Sequence, residues 1–460
     1  MQAKRVATAQ TPSTAVDFGP HETLVKRLQA RMTPVGVLGL GYVGLPLACH
    51  LARTFRVVGY DRNADRIAEL NAGQDSTHEV REASLLQQNT LTYTSDAAAL
   101  SDCGVIIVAV PTPVDAYHKP DLGPLESASL AIAKVLKPGT VVVYESTVYP
   151  GVTEGECREI LEKVSGLKLN RDFFLGYSPE RNNPGDTLHT PDKMVKVVAG
   201  STPATTELLA MVYGAMTEAG IHRAGSIAIA EACKITENIQ RDVNIALMNE
   251  LSIVFDALKI PTAEVLAAAK TKWNFLNFYP GLVGGHCIGV DPYYMIHLAE
   301  RLGRPTSLIA MSRQVNEHMP RFIAAKTIAM VTQSAGGKIE TPLSIAILGA
   351  AFKENVPDTR NSKVADLANE LERFGCQIHI VDSLADATHF QEEYNRTLTP
   401  FEKLPACHAM IIAVRHDAFV QAFSAERLKS KLKDPRVIVD CKNMLRESDA
   451  QALGLKLWRL

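Results

Sequence analysis

The chain has 460 residues, 46% of them hydrophobic and 21% charged, with a net charge of −2. That length supports two or three domains with cores of their own, and the near-neutral balance excludes the basic footprint of a nucleic-acid binder. The eight cysteines (Cys49, Cys103, Cys157, Cys233, Cys287, Cys376, Cys407, Cys441) scatter without a CxxC pair, which speaks against a disulfide framework or a zinc site and fits reduced thiols in a cytoplasmic protein. No stretch reaches the roughly 18 apolar residues of a membrane span, and the first residues lack the apolar core of a signal peptide.

In chain order, a polar lead and the short candidate helix "HETLVKRLQARM" come first, and a peripheral extension is expected there. From residue 34, "PVGVLGLGYVGLPLACHLA" joins an apolar strand, a glycine turn and a helix, and "RVVGYD" is a second strand. "GVIIVAV" at 104–110 and "TVVVYES" at 140–146 follow, separated by the helical stretch around "LESASLAIAKVL". Strands alternating with helices imply a parallel sheet covered on both faces. Residues 226–258 contain no glycine or proline and repeat apolar residues at helical spacing, which predicts one long helix joining two lobes. After residue 342 the alternation returns with "LSIAILGAAF", "CQIHIVD", "HAMIIAVRHDAF" and "RVIVDCKN", the same order of strand types as in the first part. The fold expected is α/β, with two related doubly wound domains joined by a long central helix.

The first copy carries G-x-G-x-x-G as Gly39, Gly41 and Gly44, after a strand and opening a helix. In this fingerprint the glycines serve a tight turn, close approach of backbone to a pyrophosphate, and close packing of helix on strand, while the helix N-terminus presents N–H groups to phosphate. Asp61 ends the second strand twenty residues after Gly41, where a carboxylate grips both ribose hydroxyls and disfavours a 2′-phosphate, so NAD is expected over NADP. Arg62 beside it is a residue type that stacks on adenine or reaches a 2′-phosphate. The bland alternative is a glycine turn without a ligand. The second copy reads Gly349-Ala350-Ala351-Phe352 at the same place and lacks the fingerprint.

Residues 281–294 read "GLVGGHCIGVDPYY". A free cysteine is more often a buried hydrophobe than a nucleophile, but Gly284, Gly285 and Gly289 around Cys287 bare the backbone for a substrate's approach, and Asp291 stands four residues on. On the long helix, Lys234, Asn238 and Arg241 follow at spacings of four and three and share a face. By itself such a face is commonly solvated. Near a thiol, the ammonium would favour thiolate below the usual pKa of about 8.5 and, with Asn238, would hold a developing oxyanion.

Together these stretches resemble the nucleotide-sugar 6-dehydrogenase family (UDP-glucose/GDP-mannose dehydrogenases and their N-acetylhexosamine relatives). The resemblance runs from about residue 33 to 445 and rests on "GLGYVGLPLA", "VPTP" at 110–113, "ESTVYPG" at 145–151, "YSPERNNPG" at 177–185, "EACKITENIQRDVNIALMNE" at 231–250, the Cys287 stretch and "GAAFKENVPDTRNS" at 349–362. It implies an extension at 1–32, an NAD-binding Rossmann domain at 33–222, a central helical region for dimerisation and catalysis at 223–325, and a Rossmann-like UDP-sugar domain at 326–460. It implies two NAD-dependent oxidations of a sugar C6 alcohol without a metal, in a homodimer or higher homo-oligomer formed through the central helix. Cys287 is then the nucleophile that captures the C6 aldehyde as a thiohemiacetal, later a thioester. Lys234 and Asn238 stabilise oxyanions, Asp291 with Lys234 positions the water or base that takes the alcohol proton, and Glu180 assists thioester hydrolysis through water near Thr147. For the cofactor it implicates Gly39, Gly41, Tyr42, Val43, Gly44, Asp61, Arg62, Pro111, Thr112, Thr147 and Arg360. For the substrate it implicates Glu180, Arg181, Lys234, Asn238, Arg241, Tyr279, Gly281, Gly284 and Lys353.

Within the family, UDP-glucose dehydrogenases read "NPEFL" where this chain has "SPER" and "GGxCxPKD" where it has "GGHCIGVD". Both departures resemble the N-acetylhexosamine branch, which acts for bacterial surface polysaccharides, and both C4 epimers, UDP-N-acetylglucosamine and UDP-N-acetylgalactosamine, fit the pattern. UDP-glucose and GDP-mannose are the nearest rival substrates. A catalytically silent scaffold is disfavoured because every catalytic candidate is present.

Overall fold

A computed structural model describes residues 16–77, 79–80, 82–181, 191–336 and 342–460. The polar lead of residues 1–15 and the "NNPG" end of the 177–185 motif lie outside the described residues. The described chain packs into two compact units, the first holding residues 16–112, 122–181 and 191–232, the second 113–121 and 233–460.

The first unit is built on eight strands: β1 (Val35–Leu38), β2 (Val57–Tyr60), β3 (Leu91–Thr94), β4 (Val105–Val108), β5 (Val141–Tyr144), β6 (Phe174–Tyr177), β7 (Lys196–Gly200) and β8 (Ile221–Arg223). Their order is β3-β2-β1-β4-β5-β6-β7-β8, parallel except where β7 runs against β6. "VGVL", "VIIV", "VVVY" and "FLGY" are buried along their whole length, as strands with helices on both faces must be. Strand order reverses between β1 and β4, both of which start from Val35 and Val105 in register. The crevice beyond their carboxyl ends is where such sheets bind ligands.

The N-terminal helix is not peripheral, contrary to expectation. Glu22–Gln29 repeats apolar residues at helical spacing and buries Val25 and Leu28 in the core of the first sheet, and the buried His21 ring shares a 3.0 Å hydrogen bond with Thr205 Oγ1.

In the second unit β9 (Ser344–Leu348), β10 (Gln377–Val381), β11 (Cys407–Ile412), β12 (Leu432–Asp440) and β13 (Lys456–Arg459) form an all-parallel sheet in the order β10-β9-β11-β12-β13. The two copies read from the sequence thus place corresponding strands in the same spatial order, β2-β1-β4-β5 against β10-β9-β11-β12. Gly349 (φ +99°) makes the same turn after β9 that Gly39 (φ +91°) makes after β1: an added Cβ would come within 2.4 Å of Val414 Cβ in one and 2.6 Å of the Ala109 carbonyl oxygen in the other.

The long helix is a single 32-residue element, Ile227–Leu258, about 48 Å long at 1.5 Å per residue. It begins in the first unit and continues from Cys233 in the second. Packing therefore draws other boundaries than the family division of the chain. Residues 233–336 and 342–460 form one unit, which also claims Pro113–Asp121. There His118 stacks on Tyr293 with ring centroids 4.4 Å apart and the Tyr294 hydroxyl donates to the Pro113 carbonyl. No helix among the described residues is long and apolar enough to cross a membrane.

Candidate active site

In the first unit the three glycines of the turn after β1 meet three separate demands. Gly39 has a positive φ and lies against Ala109; Gly41 has open space where a Cβ would stand; a Cβ on Gly44 would fall 1.8 Å from the Gly39 carbonyl oxygen. A dinucleotide pyrophosphate fits this turn, because only the middle glycine faces open space. Asp61 Oδ2 accepts the Leu40 N–H at 2.8 Å and Oδ1 accepts the Asn63 N–H at 2.9 Å. The carboxylate is fixed to the glycine turn and its remaining lone pairs suit ribose hydroxyls. Tyr42 and Val43 complete the turn before the helix Gly44–Ala52, Arg62 is exposed, and Pro111 and Thr112 follow β4 at the crevice. Farther along the same sheet edge, Thr147 is half-buried after β5 and Glu180 and Arg181 follow β6, with the Arg181 guanidinium on the Val195 carbonyl at 2.9 Å.

In the second unit, Cys287 alone among the eight cysteines is exposed. It lies in the turn before the helix Asp291–Arg301, and its carbonyl accepts the Asp291 N–H at 2.9 Å. An acid followed by proline suits the first positions of a helix. Asp291 is buried and receives a 2.5 Å hydrogen bond from Asn238 Nδ2. Burial pushes its carboxyl up to about 6 against the opposing pull of the Lys234 ammonium and the Asn238 amide. Lys234, Asn238 and Asp291 are thus one buried group. Arg241, expected with them, is exposed, and it is Asp242, one residue on, that turns inward.

The glycines around Cys287 have a different reason from the one their sequence suggests. A Cβ on Gly284 would stand 2.5 Å from the Asn361 carbonyl oxygen, one on Gly285 (φ +81°) 2.7 Å from the Phe352 ring, and one on Gly289 3.1 Å from the Asn361 amide. They are bare because the 352–361 loop of the same unit packs on them. Besides the buried Val283 and Val290 side chains, the turn is held through its backbone at three points. The Asn249 side chain accepts the Gly281 N–H at 2.8 Å and donates to its carbonyl at 3.1 Å; Asn361 donates its side-chain amide to the Gly285 carbonyl at 2.9 Å and accepts the Gly285 N–H on its backbone carbonyl at 3.2 Å; the buried Arg313 donates to the Ile288 carbonyl at 3.4 Å. Arg313 is held by Asp242 Oδ1 at 2.5 Å and by Glu317, which also binds Lys363.

Comparison with known proteins decides the family. Residues 33–217 match the NAD binding domain of the UDP-glucose/GDP-mannose dehydrogenase family, 228–318 its central domain and 346–447 its UDP binding domain. The chain belongs to that family. It is 46% identical over 414 residues to a UDP-N-acetyl-D-glucosamine 6-dehydrogenase of Pseudomonas aeruginosa, covering 90% of this chain and 97% of that one. It is 46% identical to Protein CapL of Staphylococcus aureus over 93% of this chain and 99% of that one. A solved UDP-D-ManNAc dehydrogenase from Pyrococcus horikoshii superposes with a TM-score of 0.83 at 29% identity, over 93% of this chain and 98% of the other. The first unit therefore carries the NAD-binding domain of a dehydrogenase.

Within this family member the remaining sequence candidates are dispersed. Lys353 is half-buried beside Phe352; Arg360 is folded onto Asp358, its Nε at 2.9 Å and Nη2 at 2.7 Å from the carboxylate; Tyr279 is exposed and bonded to Lys270; Gly281 is buried. Sequence reasoning passed over Arg66, whose Nε donates to the Leu40 carbonyl at 3.0 Å while Asp75 holds its Nη2 at 2.7 Å. With Asp61 on the N–H side, both ends of Leu40 inside the fingerprint are tied down. It also passed over Asn249, Arg313 and Asn361. An Arg or Asn gives no local signal for such work, because the backbone groups served lie 25 to 76 residues away.

Proposed function

We propose that the protein oxidises the C6 hydroxyl of UDP-N-acetylglucosamine to the carboxylate in two NAD-dependent steps through a covalent Cys287 intermediate. The observation that carries this reading is the buried Lys234–Asn238–Asp291 group linked through the Asp291 backbone to the single exposed thiol, in a chain 46% identical to an enzyme named for that substrate. UDP-N-acetylgalactosamine is the second substrate of the class.

NAD, when bound at the glycine turn, supplies the hydride acceptor for each step. Asp291, with its carboxyl near 6, is ionised at neutral pH and takes the proton of the C6 hydroxyl. The resulting aldehyde carbon bonds to the Cys287 sulfur. Asn238 has a second Nδ2 hydrogen beyond the one given to Asp291, and with the Lys234 ammonium it donates to the oxyanion of the thiohemiacetal. Loss of a second hydride makes the thioester, and water, its proton taken by Glu180 with Thr147 orienting it, releases the uronate and the thiolate. One alcohol, one water and two NAD+ become one carboxylate, two NADH and three protons. Covalent capture keeps a reactive aldehyde from escaping between the steps.

Arg181, Arg241, Tyr279, Gly281, Gly284 and Lys353 are proposed for the nucleotide-sugar and Arg360 for the cofactor. The exposed Leu247, Val254 and Leu258 lie at spacings of seven and four on the long helix, which supports a homodimer or larger assembly formed through that helix. We place the enzyme in the cytoplasm of a bacterium, making a sugar acid for surface polysaccharide. The test is NADH release by purified protein across UDP-N-acetylglucosamine, UDP-N-acetylgalactosamine, UDP-glucose and GDP-mannose: the N-acetylhexosamines react, UDP-N-acetylglucosamine fastest, and preference for either of the other two overturns the reading.

A further inference from the structure

The first unit carries a buried charge cluster that the reaction above leaves unused. Glu145 directly follows β5, two residues before Thr147, and its side chain is wholly enclosed. It accepts hydrogen bonds from the Lys196 ammonium on β7 and, at 3.3 Å, from the Tyr213 hydroxyl of the helix Pro203–Gly214. The ammonium is itself largely buried, lies 5.3 Å from the Tyr213 ring centroid, and reaches Glu180 Oε2 at 4.0 Å. One cation thus stands between two carboxylates, the first sealed inside the sheet and the second on the loop after β6.

A buried ion pair is a poor way to stabilise a sheet, since apolar side chains of the same volume do as well or better. The sequence nevertheless keeps Glu145 after β5 where Gly39 follows β1 and Ala109 follows β4, and Lys196 opens a strand otherwise buried through Val197, Val198 and Ala199. What the pair achieves is placement: Glu145 and Tyr213 fix a flexible lysine so that its charge falls beside Glu180. Arg181, the other cation near Glu180 in the chain, is turned to the Val195 carbonyl.

We propose that Lys196, anchored by Glu145, is a positioning residue for Glu180 in thioester hydrolysis. The inference rests on the reading of Glu180 as the base of that step. There the water oxygen bonds to the acyl carbon, the carbon–sulfur bond breaks to leave the Cys287 thiolate, and the water proton passes to Glu180; no electrons change hands. An ammonium held at 4.0 Å from Glu180 Oε2 attracts the carboxylate and fixes its direction. Burial pushes the Glu145 carboxyl itself up to about 6, with Lys196 pulling it down and Glu180 pushing it up, as befits two acids that share one cation.

The experiment separates the two halves of the reaction in the full-length enzyme. Protein is mixed with UDP-N-acetylglucosamine and NAD, the first-turnover burst of NADH is followed, and the thioester is counted by intact mass after acid quench. Lys196→Met slows hydrolysis by at least about tenfold and accumulates thioester while the burst stays within about threefold of wild type. Lys196→Arg recovers most of the hydrolysis rate. Glu145→Gln, which keeps the buried shape, gives the same split as Lys196→Met and decides the matter if the methionine variant does not fold. A burst and a hydrolysis rate that fall together, or neither falling, overturns the proposal. Glu180→Gln is the control: if it hydrolyses thioester at the wild-type rate, the reading of Glu180 fails. If it arrests as thioester while Lys196→Met and Glu145→Gln do not, only the role of Lys196 falls.

Discussion

Asp61 and Asp382 hold corresponding positions in two copies of one strand–turn–strand unit, and the chain has put them to opposite uses. Each directly follows the second strand of its sheet and accepts a backbone N–H from the turn after the first strand, Leu40 N–H at 2.8 Å for Asp61 and Ala350 N–H at 2.7 Å for Asp382. Asp61 remains half-buried at the glycine turn, whereas Asp382 is sealed with His416, Oδ2 to Nε2 at 3.0 Å, with neither side chain exposed. Backbone N–H groups and His416 hold the Asp382 carboxyl down at about 2 against the cost of its burial. In the second copy the carboxylate is spent on its own interior.

Substituting the two aspartates separates these uses. Asp61→Ala weakens NAD binding by at least about tenfold, the worth of one or two hydrogen bonds to a charged group, and leaves the melting temperature nearly unchanged. Asp382→Ala costs about 3 kcal/mol of stability by leaving its buried partners unpaired, and NAD affinity at the intact first turn is retained. Calorimetric titration and thermal melts read both.

The pH dependence of the first oxidation follows from Asp291. Burial pushes its carboxyl up to about 6, and in the proposed role it takes the alcohol proton only when ionised. The NADH burst rate therefore holds above neutrality and falls about tenfold per pH unit below the midpoint near 6. Asp291→Asn lowers the burst by at least about a hundredfold and removes that acid limb. Stopped-flow measurement between pH 5 and 8, held within the range where the fold is intact by circular dichroism, gives both values.

How much of this was legible in the sequence divides by the range of the contacts. The glycine fingerprint, the long helix and the repeat of strand types are written in local spacing, and the sheet orders agree with them. β3 (LTYT), β8 (IHR) and β13 (KLWR) carry polar or charged residues in place of the apolar run that marks β1, β4 and β5, whereas β6 and β7 are apolar and were passed over all the same. Lys234, Asn238 and Asp291 are brought together although 53 residues separate the last two, while Arg241 on the same spacing stays outside. The glycines around Cys287 were visible but their cause was not. It lies in Phe352 and Asn361, far along the chain, and no spacing rule reports a loop that will pack on a turn.

That cause is testable. Gly285→Ala places a Cβ 2.7 Å from the Phe352 ring at a positive φ, and the two strains together cost about 2–4 kcal/mol. In a Phe352→Ala background only the backbone strain remains, and the added cost of Gly285→Ala falls to about 1 kcal/mol. Denaturant midpoints of the four proteins give the coupling; equal costs in both backgrounds would show that Phe352 is not the neighbour that matters.

Arg313 offers a second handle on the turn that carries Cys287. Arg313→Lys keeps a charge for Asp242 but gives up the fork that reaches Glu317 and the Ile288 carbonyl together. The turn loosens, kcat falls by about tenfold with KM for the sugar nucleotide little changed, and the rate of Cys287 alkylation by iodoacetamide changes with it. An unaltered alkylation rate alongside full activity would assign Arg313 to stability alone.

The central claim, that one thiol carries both oxidations, is tested most directly by the stoichiometry of a single limiting substrate. With UDP-N-acetylglucosamine limiting and NAD in excess, the account predicts two NADH per sugar nucleotide from the wild-type enzyme, no free aldehyde, and loss of uronate formation in Cys287→Ala. One NADH per sugar nucleotide with aldehyde released, or two NADH from Cys287→Ala, would contradict it.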